Sequence, residues 1–97
     1  MIFGIVAGTV VASQRSDEIA GAKYLLAEVC GADGKGKGSY IVVLDFMGAG
    51  PGEMVLLSQG SSTRQTSITK NKAVDAIVTG IVDLVETEGR FVYRKSV

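Results

Sequence analysis

Two glycine-dense stretches hold the residue types that could cradle a phosphate. Gly31-Ala32-Asp33-Gly34-Lys35-Gly36-Lys37-Gly38-Ser39 approaches a phosphate-binding loop. That chemistry needs G-x-x-x-x-G-K-[ST], so that backbone amides wrap the phosphates, the lysine reaches them and a hydroxyl meets magnesium. Counted from Gly31, the match holds through Gly36 and Lys37 and fails at Gly38, with Ser39 one position late. The β-rich Tyr40 to Phe46 follows where a helix must open. The stretch therefore reads as a solvated hairpin loop. Gly48, Gly50 and Gly52 give G-x-G-x-G instead of the dinucleotide G-x-G-x-x-G, and a strand-like run from Glu53 to Ser58 follows them.

Catalysis finds no better footing. The chain has no histidine, which removes the commonest general acid/base near neutral pH and the commonest zinc ligand. The carboxylates Asp17, Glu18, Glu53, Asp75, Asp83, Glu86 and Glu88 read as turn, cap or surface charges. Ser58, Ser61 and Ser62 lack an imidazole partner, and nothing in the sequence positions Lys70 or Lys72 as a substitute base. Cys30 ends an apolar run and reads as an inert core thiol. No enzyme activity, cofactor or metal is expected.

What remains is contact. Gly48-Ala49-Gly50-Pro51-Gly52-Glu53 holds the only proline and leads through Met54 to Gln59 into Gly60-Ser61-Ser62-Thr63-Arg64. Glycines at alternate positions let a backbone turn sharply and approach another backbone closely. Loops of this kind often carry function when a rigid scaffold positions them. The expected purpose is assembly, with both segments at subunit boundaries. Arg64 is either a solvated charge or a planar fork pairing across such a boundary, a task to which arginine is better suited than lysine.

Composition points the same way. A chain of 97 residues makes one domain, 1–97, and at that size folding buries only about 60–65% of the unfolded surface. Yet 46% of the residues are apolar and 21% charged, so apolar surface is expected to be buried against copies of the same chain. Ten basic and ten acidic residues cancel, without the basic excess of a nucleic-acid binder. The lone cysteine cannot form an intrachain disulfide, and Met1 to Val6 lacks a basic leader and reads as a first strand. No apolar run reaches the roughly 20 residues of a membrane-spanning helix. A cytosolic chain with no membrane partner is expected.

The elements that must position these loops are strands. Residues 2–13, with Gly4 and Gly8 inside, predict a curved or bulged first strand. Lys23 to Cys30, Tyr40 to Phe46 and Glu53 to Ser58 predict three more, and Arg90 to Lys95 a short edge strand. Gly31 to Ser39 reads as a flexible connection, and one helical turn is expected near Ser61 to Gln65. Residues 74–85 are ambiguous. Val74, Ile77, Val78, Ile81, Val82 and Val85 follow helix spacing, but Gly80 and the β-branched side chains favour a strand. The sum predicts an all-β chain, a small barrel or sandwich with glycine-rich loops and at most short helical turns.

Five ordered blocks resemble the EutN/CcmL family of bacterial microcompartment vertex proteins. They are Gly4-Ile5-Val6-Ala7-Gly8-Thr9-Val10-Val11-Ala12-Ser13; Gly21 with Lys23-Tyr24-Leu25-Leu26; Asp45-Phe46-Met47-Gly48-Ala49-Gly50-Pro51-Gly52-Glu53-Met54-Val55-Leu56; Gly60-Ser61-Ser62-Thr63-Arg64; and Val74-Asp75-Ala76-Ile77-Val78-Thr79-Gly80-Ile81-Val82-Asp83. The resemblance implies a five-stranded, OB-like β-barrel and turns residues 76–86 toward a strand. It also implies a homopentamer capping the vertices of a shell of hexameric tiles in the bacterial cytoplasm. Asp75 and Asp83 join Gly48, Ala49, Gly50, Gly52, Glu53, Gly60, Ser61, Ser62, Thr63 and Arg64 as expected interface residues on that basis. The alternative from another class is an OB module binding oligonucleotides or a ligand, which needs a basic groove lined with aromatics.

Overall fold

The computed structural model describes residues 1–12, 23–59 and 76–95. Among these residues the chain forms strands β1 (Ile2–Val10), β2 (Lys23–Cys30), β3 (Gly36–Asp45), β4 (Met54–Gln59), β5 (Ala76–Ile81), β6 (Leu84–Thr87) and β7 (Arg90–Arg94). The first five close into a barrel in the order β1-β2-β3-β5-β4, and β6 with β7 makes a separate hairpin. Barrel neighbours run antiparallel except β3 and β5, which meet in parallel at Leu44 and Ile77.

Alternation along each strand sends one set of side chains inward. Val6, Leu25, Ala27, Val43, Val55, Leu57, Ala76 and Val78 fill the barrel, joined by Ala49 from the loop after β3. Space inside is tight. A Cβ on Gly4 would meet Leu57 Cδ1 at 2.9 Å and Ala27 Cβ at 3.5 Å, so glycine lets β1 pass close to its neighbours. The register of β1 against β2 shifts between Val6 and Gly8, as the interior glycines predict.

On the outside, Phe3 and Ile5 of β1 and Leu56 of β4 pack with Met54, Cys30 and Val82. The hairpin covers this face through Val85 and Tyr93. Its two-residue turn, Glu88-Gly89, takes φ of 52° and 76°, and two left-handed residues match the twist of paired strands.

Three expectations change. Residues 31–39 are a connection only as far as Lys35, because β3 already begins at Gly36. The Glu28 carboxylate explains this extension. It lies where a Gly36 side chain would project and accepts the Gly38 amide at 3.0 Å. Second, the strand expected over 76–86 is two strands, broken at Val82 and Asp83. There the Val82 amide donates to the Met54 carbonyl at 2.8 Å and the chain leaves the barrel. Third, the strand expected over Arg90 to Lys95 runs from Arg90 to Arg94, and among the described residues it pairs with β6, a partner that was not foreseen. The helix spacing over residues 77–82 has a plain cause. Ile77 packs with Leu44 outside the barrel and Val78 inside it, so β5 is buried on both faces. The helical turn expected near Ser61 to Gln65 lies outside the described residues.

Candidate functional site

The loop from Phe46 to Glu53 is built on a buried carboxylate. Asp45, the last residue of β3, is 1% exposed. Its Oδ1 accepts the Met47 amide at 2.8 Å and its Oδ2 the Ala49 amide at 2.9 Å. Lys23 Nζ stands 3.9 Å from Oδ2, too far for a strong bond, and supplies a nearby positive charge from β2. This double acceptance folds the chain back so that Ala49 enters the barrel core. Gly48 makes the bend at a φ of 78°, in the left-handed region, where a Cβ would find open space but a strained backbone.

The far half of the loop is held by β1 and by the C-terminal segment. The Gly52 amide donates to the Val6 carbonyl at 2.8 Å, and the Val6 amide donates to the Glu53 carbonyl at 2.9 Å. Glu53 spans the turn: Oε1 accepts the Gly50 amide and Oε2 pairs with Lys95 Nζ at 2.7 Å. The Lys95 amide in turn donates to the Asp83 carbonyl at 2.8 Å. Bonding to the Lys95 ammonium, then to the Gly50 amide, holds the Glu53 carboxyl below its ordinary range. The bond to Glu53 likewise raises Lys95.

The result is a loop pinned from beneath that exposes Phe46, Met47, Gly48, Pro51 and Gly52. Each of its two carboxylates is committed to amides and a lysine, which leaves neither poised as a general base. Cys30 is buried, and burial, reinforced by Asp33, pushes its thiol up, away from the nucleophilic thiolate. Among the described residues no group of three or more cysteine and carboxylate side chains could hold a metal ion. Among the described residues no helix is long and apolar enough to cross a membrane. What the loop can do is present a fixed surface to another molecule.

Of the residues singled out from the sequence, Gly48, Ala49, Gly50, Gly52 and Glu53 share this loop, and Asp83 is linked to it through Lys95. Gly60, Ser61, Ser62, Thr63, Arg64 and Asp75 lie outside the described residues. Sequence reasoning missed Asp45 and Lys95 as organisers. For Asp45 a signal existed: an aspartate opening a glycine-rich turn commonly bonds the amide two residues on. Lys95 meets Glu53 only through the tertiary fold, and no local pattern marks it.

Comparison with known proteins bears on the chain and its barrel as a whole. The family model described as "Ethanolamine utilisation protein EutN/carboxysome" matches residues 1–83. The carboxysome shell vertex protein CcmL of Gloeobacter violaceus is 41% identical over 95 residues, covering 98% of this chain and 95% of that one. Its solved structure superposes with a TM-score of 0.88 over 98% of both chains. The microcompartment shell vertex protein EutN of Salmonella typhimurium is 40% identical over 95 residues, 98% of this chain and 96% of its own. The structure of GrpN from Rhodospirillum rubrum, a pentameric microcompartment shell protein, has a TM-score of 0.78 at 42% identity, covering 90% of this chain and 99% of that one.

Proposed function

This chain belongs to the EutN/CcmL family, and from that membership we propose that it is a structural shell protein, a homopentamer that caps the vertices of a bacterial microcompartment. The observation that carries the reading is the end-to-end likeness, in sequence and in barrel, to shell vertex proteins of several compartments.

The physical logic is geometric. A flat layer of six-fold tiles does not close on itself, and points of five-fold symmetry introduce the curvature. A subunit with two different, inclined contact faces closes into a ring when each step turns by one fifth of a circle. In this reading the chain acts by shape and catalyses no reaction. Its partners are copies of itself and hexameric shell tiles, with no nucleic acid and no membrane, and it works in the cytoplasm within the shell. The Phe46 to Glu53 loop suits a contact role because Asp45 and Glu53 fix its form before any partner arrives. Preorganisation of that kind lowers the ordering cost of association. Gly60 to Arg64 and Asp75 are assigned to the same contacts by their place in the family's sequence blocks.

Native mass spectrometry across a concentration series tests the ring, with a five-mer expected to dominate. A monomer at all concentrations would sink the ring and revive the ligand-binding barrel. A six-mer would exclude five-fold closure. Co-expression with a hexameric shell protein then tests capping: closed particles should require this chain, and open sheets or tubes should form without it.

A further inference from the structure

The glycine loop hangs on two anchors of unequal strength. Its near half is held by Asp45, whose side chain is fully buried while it accepts the Met47 and Ala49 amides. Its far half is held by Glu53, whose carboxylate accepts the Gly50 amide and pairs with Lys95. The Glu53 side chain is 23% exposed and that of Lys95 36%. Water competes with an exposed ion pair far better than with a buried hydrogen bond. The far anchor is therefore the one that opens first.

Two consecutive residues, Glu53 and Met54, receive both ends of the hairpin. On entry, the Val82 amide donates to the Met54 carbonyl. On exit, the Lys95 ammonium reaches Glu53 while the Lys95 amide donates to the Asp83 carbonyl and closes the hairpin's base. Between these ends, Val85 and Tyr93 seat the hairpin on the cluster of Met54, Cys30 and Val82. Tyr93 also comes so close to Gly34 that a Cβ there would meet its ring at 3.1 Å. The Glu53 backbone is clamped to β1 instead: the Val6 amide donates to its carbonyl, and the Gly52 amide donates to the Val6 carbonyl. What passes from hairpin to loop at this junction thus runs through one side chain, from Lys95 through the Glu53 carboxylate to the Gly50 amide.

We propose that Glu53 and Lys95 form a clasp that couples the seating of the β6–β7 hairpin to the form of the glycine loop. With the clasp closed, the carboxylate is fixed and holds the Gly50 amide. With it open, the carboxylate turns to water and the far half of the loop loosens, while Met47 and Ala49 stay on Asp45. Such coupling is reciprocal. A partner that steadies the hairpin stiffens the loop, and one that grips the loop steadies the hairpin. Lys95 is thus a positioning residue for a surface to which it does not itself belong. The coupling lies within one subunit, and its bearing on assembly rests on the contact role proposed for the loop.

Residue-resolved amide exchange, read by NMR on the full chain, tests the clasp. Lys95→Met keeps the aliphatic stem and removes the ammonium. It should speed exchange at Gly50 about three-fold and leave Met47 and Ala49 at parental rates, and Lys95→Arg should restore Gly50. Val85→Ala, which loosens the hairpin's seat, should also speed Gly50, but not when combined with Lys95→Met. Glu53→Gln reads the reverse direction: it keeps an oxygen for Gly50 and loses the charge, so the Lys95 amide should exchange faster. Native mass spectra of the same samples keep the two readings apart. A parent that forms no ring fails the assembly reading, and the exchange pattern still judges the clasp. An unchanged Gly50 amide in Lys95→Met overturns it, as does equal acceleration at Met47 and Ala49. A Val85→Ala effect at Gly50 of the same size with and without Lys95 does so too.

Discussion

Asp45, at the end of β3, anchors the glycine loop by accepting the Met47 and Ala49 amides. A buried carboxylate accepting two amides is stabilised only while both bonds hold, and removing it leaves two donors without partners. Asp45→Ala is therefore expected to cost on the order of 3 kcal/mol, read as a lower urea midpoint with an unchanged slope. A loss below about 1 kcal/mol would mean the loop holds its form by other means. Gly4 makes the matching point in the core. Its missing Cβ leaves room for Leu57 Cδ1, and Gly4→Ala is expected to cost about 1–3 kcal/mol through overpacking. A thermal melt equal to that of the parent would show that Leu57 can repack freely.

At the scale of elements, the Glu53–Lys95 pair ties the glycine loop to the segment that follows the hairpin. Its pH dependence has a definite sign. The Glu53 pKa lies below its ordinary 4.5 in the folded chain, so the pair's contribution is present above 4.5 and is lost as pH falls through the depressed value. Lys95 is raised above its ordinary 10.5, so its contribution is full below 10.5 and is lost as pH rises through the elevated value. Both groups are solvated, and the effect is expected to be small. Glu53→Gln should flatten the decline in stability on the acid side of 4.5 while leaving the rest of the curve in place. An acid limb identical to the parent's would remove the pair from the account. The hairpin itself was only half legible. Arg90 to Lys95 reads as a strand, but its partner β6 hides in a stretch whose valines and isoleucines fit a helix as well.

For the whole molecule, the useful contrast is between folding and assembly. A Cβ at Gly50 would lie 3.5 Å from Glu53 Oε1, an ordinary contact, so the subunit has room for a side chain there. Gly50→Val should leave the melting curve within the equivalent of about 1 kcal/mol of the parent. If the loop meets a neighbour, the same change should lower the five-mer fraction in native mass spectra. A variant that forms rings as readily as the parent would take the loop out of the interface.

From the sequence alone came the all-β class, the bulge in β1, the glycine loop as a fixed point of interest and, through five ordered blocks, the family. Local chemistry is enough for these, because turn residues, β-branched runs and motif order are written in neighbouring positions. Only the tertiary structure decided that β3 reaches back to Gly36, that the chain breaks at Val82 to build a hairpin on the β4–β1 seam, and that Glu53 finds Lys95. Each of these depends on groups far apart in the chain. Glu28 fills the space above Gly36, Met54 accepts the Val82 amide, and a single bulge turns Phe91 outward. Sequence spacing records the period of a strand, but barrel closure determines which of its faces is left for a partner.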